Sequence, residues 1–190
     1  MTAPLNVGLL GFGYASATFH APLIAAVPGL KLAAISSSRP HDVHAAWPDV
    51  TVCETPEHLM AKPDIDLVVV ATPNNTHAPL AAQALMAGKH VVVDKPFTLN
   101  VREARDLIAL ARQQQRLLSV FQNRRWDGDF MSVQAALAHG GLGRIVHFES
   151  HFDRYRPVVP QRWRDSGEPG SGLWFDLGPH LLDQALQLFG

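Results

Sequence analysis

The stretch IDLVVVA, residues 65–71, constrains the fold of this chain more than any other. It is apolar at almost every position. A strand with one wet face alternates apolar and polar residues, so this one must be covered on both faces, as in a parallel sheet flanked by helices. Similar short runs occur at Leu5–Leu10, Leu30–Ile35, His90–Val93 and Leu117–Phe121, with a shorter candidate at Thr51–Cys53. Segments with helical spacing lie between them: Phe19–Val27, stopped by Pro28-Gly29; Pro56–Met60; His77–Met86, closed by Gly88; and Val101–Gln115. A polar connection containing Trp47 and Pro48 comes after the second run. Repeated strand–helix alternation with short connections predicts an α/β fold, a doubly wound and mostly parallel sheet.

The texture changes after Phe121. QNRRWDGDF is polar and basic, Phe130–His139 has the pattern of a helix, and glycines at 140, 141 and 143 stop it. From Arg144 to Phe152 apolar and polar residues alternate, which predicts a strand with one covered face. RPVVPQRWRDSGEPGSG reads as a loop, and Trp174–Phe189 as a helix interrupted at Gly178-Pro179. Two domains are therefore expected, 1–121 and 122–190.

Charge and composition exclude several classes. Sixteen Lys+Arg face 17 Asp+Glu, a net charge of -1, so there is no electrostatic footprint for nucleic acid. Cys53 is the only cysteine, which rules out an intrachain disulfide and a cysteine-based zinc cluster. No apolar run is long enough for a membrane span, and MTAPLNVGLLG lacks the charged-then-apolar pattern of a secretory signal, so a cytoplasmic location is expected.

VGLLGFGYAS, residues 7–16, places Gly11 and Gly13 at the first two positions of the dinucleotide fingerprint, at the end of the first strand. The first glycine permits the tight turn, and the second lets backbone approach a pyrophosphate at a helix N-terminus. Ser16 holds the third position, where glycine or alanine is usual; Tyr14 lies inside the same turn. The plain alternative is a glycine turn required only by the connection. Where NAD-binding chains carry an acid after the second strand, this one has Ser36, Ser37, Ser38 and Arg39. Hydroxyls and a guanidinium suit a 2′-phosphate, which a carboxylate would repel, so NADP is the expected cofactor. NAD remains the alternative, on account of Asp42.

Ligands of doubly wound sheets bind beyond the carboxyl ends of strands. Thr72, Pro73, Asn74 and His77 stand beyond one strand, and Asp94 and Lys95 beyond another. Pro96 restricts Lys95 to extended conformations. An ammonium fixed there suits a substrate oxygen that gains charge during hydride transfer. The plain readings are a turn-forming Asn74, a helix-capping Thr76, a buried His77 and a solvated lysine. In GSGLWFDLGPHLLDQ, Asp176 and His180 are four apart and share a helical face, as a proton-transferring histidine and its carboxylate would; the alternative is a cap and a packed histidine. His147, Glu149 and His151 match no standard zinc spacing, nor do Asp176, His180 and Asp183, so no metal is expected.

Taken together, GLLGFGYASATFHAPLI, ATPNNTHAPLA, AGKHVVVDKPFT, FQNRRWDGDF and GSGLWFDLGPHLLDQ resemble, in order and rough spacing, the Gfo/Idh/MocA family of glucose-fructose oxidoreductase, inositol dehydrogenase and relatives. The resemblance runs through essentially the whole chain. It implies a Rossmann domain, with DKP standing for the commoner E-K-P, Lys95 as the active-site lysine, and Asp176 and His180 as the D-x-x-x-H pair with His180 the acid/base. It implies hydride transfer between a nicotinamide and sugar-, inositol- or polyol-like alcohols, by homodimers or tetramers. Members are usually much longer, with a large, mainly antiparallel sheet in the second domain, so the resemblance implies that 122–190 is the beginning of an α+β domain and is incomplete. Asn123, Arg124, Arg125, His151, Asp153, Arg162, Trp163 and Arg164 are polar residues suited to an oxygen-rich substrate. The competing functions are a non-catalytic nucleotide-binding protein or inactive remnant, which needs neither Lys95 nor His180, and a methyltransferase, which has no use for them.

Overall fold

The computed structural model describes residues 3–155, 157–158 and 167–190. The chain divides into two compact units, Met1–Phe121 and Gln122–Gly190.

In the first unit, strands β1 (Leu5–Leu10), β2 (Leu30–Ser36), β3 (Thr51–Cys53), β4 (Leu67–Val70), β5 (His90–Asp94) and β6 (Leu118–Phe121) form one parallel sheet in the order β3-β2-β1-β4-β5-β6. The order reverses between β1 and β4. The apolar run at 65–71 is explained by its neighbours. Val68 and Val70 enter a core cluster with Leu85 and Leu107, whereas Val69 enters a second with Leu9, Ile24 and Ile35. Successive side chains of a strand point to opposite faces, so each face of β4 has its own core. Each fully buried valine there contributes roughly 1.5–3 kcal/mol.

Helices α1 (Ala21–Ala26), α2 (Pro40–Ala46), α3 (Pro56–Met60), α4 (His77–Met86) and α5 (Val101–Gln113) connect the strands. A Cβ on Gly8 would collide with the Leu59 side chain, so glycine is what lets α3 lie against β1. The helix expected at Phe19–Val27 begins earlier, with a π-helical turn at Ser16–His20. Helix α2 occupies the polar connection. It carries only one buried residue, Val43, so no apolar periodicity announces it; Pro40 at its start and Asp42 in its first turn are its local signals.

The second unit holds a 3₁₀ turn at Asn123–Trp126, α6 (Gly128–Ala138) and α7 (Leu173–Phe189). Arg125 donates two hydrogen bonds to Asp183, at 2.8 and 2.6 Å, and the Gln184 amide donates to Arg124 O, so the turn is tied to α7. Two expectations need correction. Helix α7 runs unbroken through Gly178-Pro179. Proline removes one ladder bond, and Gly178, without a Cβ, lets the Trp174 ring lie against the backbone at that turn. Arg144–Phe152 is not a strand, because the ladder that defines one has no partner among the described residues.

Candidate functional site

Residues Leu10, Ser36, Val70 and Val93 are in register across β1, β2, β4 and β5. The segments that leave these four strand ends therefore lie along one edge of the sheet. After β1 comes Gly11, whose φ of 85° is left-handed and whose N–H donates to Ser36 O. A Cβ there would sit 3.0 Å from Ala71 O. Gly13 is different: a Cβ on it would meet nothing within 4 Å. The protein's own packing does not require glycine at 13, and the space beside it is the kind a close-approaching ligand needs. Ser16 is fully buried and its hydroxyl has no hydrogen-bond partner among the described residues, so a small residue is required where the helix packs on the sheet. Tyr14 is exposed, edge-on to Phe19. These residues fit a dinucleotide.

Gly11→Ala is expected to destabilise the first unit by about 2 kcal/mol, from left-handed backbone strain plus the Ala71 contact. Gly13→Ala is expected to leave the urea midpoint unchanged and still weaken dinucleotide binding. Equal stability losses at both positions would remove this division of roles.

Beyond β2, Ser37 Oγ accepts from Arg39 N–H at 3.0 Å. The Arg39 guanidinium donates to Phe12 O, inside the glycine turn, and lies 3.2 Å from Asp42. Hydroxyl, guanidinium and turn are thus one cluster. The Arg39–Asp42 pair is largely solvated, worth at most about 1 kcal/mol, so the guanidinium is readily re-partnered. Ser38 is exposed beside it.

Beyond β4, Asn74 and His77 are buried, Thr72 is half-buried and Pro73 exposed. His77 Nδ1 is 2.7 Å from Pro96 O and Nε2 is 3.0 Å from Thr72 O, so the ring spans the ends of β4 and β5. A neutral imidazole has one N–H and serves one carbonyl at a time. Thr76 precedes α4 but does not cap it through its side chain. Its hydroxyl donates to Pro73 O and contacts Thr72 Oγ1.

Beyond β5, Asp94 Oδ1 accepts the Lys95 backbone N–H at 2.7 Å, Lys95 is half-buried, and the Lys95–Pro96 bond is cis. Asp94 Oδ2 lies 3.3 Å from His20 Nε2. That is an ion-pair distance without good hydrogen-bond direction, and the buried Nε2 has no hydrogen-bond partner among the described residues. Burial pushes the Asp94 carboxyl up; the His20 contact, the Lys95 N–H and the Lys95 charge outweigh it and hold the carboxyl below its ordinary value. His20 was not legible as a site residue. Its only signal is a histidine where a helix behind a glycine turn should bury an apolar side chain.

In the second unit, Asp176 and His180 lie one turn apart on α7, and His180 is 5% exposed. Arg124 pairs with Asp127 and Arg125 with Asp183, so both guanidinium groups are engaged within this unit. Asn123 is half-buried, whereas His151 and Asp153 are exposed; Arg162, Trp163 and Arg164 lie outside the described residues. An apolar groove runs between residues 150–153 and the Trp174, Leu177 and Leu181 side of α7; neither Asp176 nor His180 lines it. Among the described residues no helix is long and apolar enough to cross a membrane.

Comparison with known proteins gives a consistent picture. Residues 5–122 match the profile described as an oxidoreductase family with an NAD-binding Rossmann fold, and residues 130–190 match the GFO/IDH/MocA C-terminal domain. The chain is 61% identical over 190 residues to the Escherichia coli oxidoreductase YdgJ, covering 100% of this chain and 55% of that one. It is 38% identical over 186 residues to the Bacillus subtilis scyllo-inositol 2-dehydrogenase (NADP(+)) IolW, covering 98% and 52%. A solved oxidoreductase structure from Yersinia pestis superposes with a TM-score of 0.93 at 60% identity, covering 100% of this chain and 54% of that one. The chain spans about half the length of the curated relatives it matches.

Proposed function

The chain belongs to the GFO/IDH/MocA oxidoreductase family, and from that premise we propose that it serves an NADP(H)-preferring dehydrogenase of sugar-, inositol- or polyol-like secondary alcohols and their carbonyls. One observation carries the reading. Gly11, Ser37, Thr72 and Lys95 come after strands in register, at the edge where the strand order reverses between β1 and β4. Doubly wound sheets bind their ligands there.

Residues 1–121 are the cofactor domain on this reading, and 122–190 begin the substrate domain. Backbone at Gly11, Gly13 and Tyr14 takes the pyrophosphate, Ser16 lets the following helix pack close behind that turn, and Ser37, Ser38 and Arg39 take the 2′-phosphate. Thr72, Pro73, Asn74, His77, Asp94 and Lys95 shape the nicotinamide side. When bound, the nicotinamide supplies or accepts the hydride. Lys95 donates a hydrogen bond to the substrate oxygen and stabilises the charge that builds on it. His180 takes the hydroxyl proton in oxidation and returns it in reduction, with Asp176 orienting it. Dimers or tetramers in the cytoplasm complete the proposal. The name of the Bacillus subtilis relative supports both the substrate class and NADP.

The test is fluorescence titration of the purified protein with NADPH and NADH. We expect NADPH to bind about tenfold more tightly, and Arg39→Ala to erase that preference while leaving NADH binding unchanged. Preference for NADH would overturn the 2′-phosphate assignment. Absence of binding by a folded sample would overturn the cofactor reading. Binding without turnover on any sugar or polyol would favour the non-catalytic alternative.

A further inference from the structure

The buried His20 has no part in the proposed reaction. It sits on the π-helical turn immediately behind the glycine turn, 3% exposed. Its ring packs on Phe121 with centroids 4.2 Å apart. Phe121 is in register with Asp94 across β5 and β6. The imidazole therefore rests against two adjacent strand ends at once, and its Nε2 lies at ion-pair distance, 3.3 Å, from the carboxylate of one of them. The other oxygen of that carboxylate receives the Lys95 N–H.

We propose that His20 is a positioning residue for Lys95, acting through Asp94: the imidazole fixes one carboxylate oxygen so that the other stays on the Lys95 backbone. A carboxylate rotates freely about its side-chain bonds unless both ends are held. Asp94 is largely buried, where a charge without a partner is disfavoured, so its orientation depends on the polar groups that meet it, and His20 meets it from the helix side. His20 thereby links the turn that opens at Gly11 to the lysine at the end of β5. Because the residue acts through Asp94, it touches no substrate atom. The catalytic meaning of the link rests on the proposed role of Lys95; the link itself does not.

The experiment separates nitrogen from ring. His20→Phe keeps the packing on Phe121 and removes Nε2, whereas His20→Gln loses the ring and returns an amide nitrogen near the Nε2 position. Amide hydrogen exchange at Lys95 is read against Val93 in the same strand, with no substrate or cofactor present. We expect exchange at Lys95 to accelerate about tenfold or more in His20→Phe, with Val93 unchanged, and to return close to wild type in His20→Gln. The reverse order, protected in Phe and exposed in Gln, would make His20 a space-filling ring and overturn the proposal. Should His20→Phe not fold, His20→Asn replaces it: its shorter amide stops short of Asp94, so Lys95 must be less protected than in His20→Gln, and equal protection overturns the proposal. In a turnover assay His20→Phe is expected to lower kcat with the coenzyme KM unchanged, and His20→Gln to restore it. The exchange result stands without turnover, so an inactive wild type would count against the dehydrogenase reading and not against this one.

Discussion

Lys95→Ala is expected to lower kcat by about 10²–10³-fold while dinucleotide affinity stays within about threefold. The size of the loss comes from the group that is removed. A donor held at the end of a β-strand stabilises charge that exists only in the transition state, so its absence is felt in kcat rather than in binding. The side chain starts from a well-anchored backbone: β5 is paired on both sides, and the Lys95 N–H is bonded to Asp94. The dinucleotide contacts assigned to the glycine turn and to Arg39 lie beyond β1 and β2, so they survive the substitution. Steady-state kinetics beside an NADPH titration separates the two effects. Equal losses in kcat and in NADPH affinity would make Lys95 a cofactor contact; unchanged kcat would remove it from the chemistry.

His180→Asn is expected to cost about 10²–10⁴-fold in kcat and to abolish the ionisation limb that an acid/base histidine would give the wild-type pH–rate profile. Asparagine can still form hydrogen bonds in the buried position, but it cannot carry a proton between solvent and substrate. Helix α7 is held to the preceding turn by Arg125–Asp183 and Gln184, and these bonds remain in the variant, so most of the helicity should persist. Asp176→Asn, one turn away, should show a smaller loss with the limb shifted rather than abolished. A wild-type pH profile in His180→Asn would exclude the histidine as acid/base and return it to a packing role.

How much of this was legible depends on the range of the interaction. The apolar run around β4 identified a two-faced sheet because burial on both faces leaves no alternation in the chain itself. Helix α2 was missed because a helix with one buried residue has no period to detect. Residues 144–152 alternate as a strand should, and a strand still requires a partner. Gly178-Pro179 signals a break by local propensity, and the packing of Trp174 at Gly178 accompanies an unbroken helix instead.

The sequence alone determined the repeated strand–helix order, the tight turn at Gly11 and the placement of Lys95 beyond a buried strand. Those properties are properties of consecutive residues: side-chain period, backbone conformation and proline restriction. Only the tertiary structure decided that Arg39 reaches back to Phe12 O, that His77 meets Pro96 O, and that His20 meets Asp94. These pairs join residues far apart in the chain. Each depends on which strand lies beside which and on the register between them, and no local pattern carries that information.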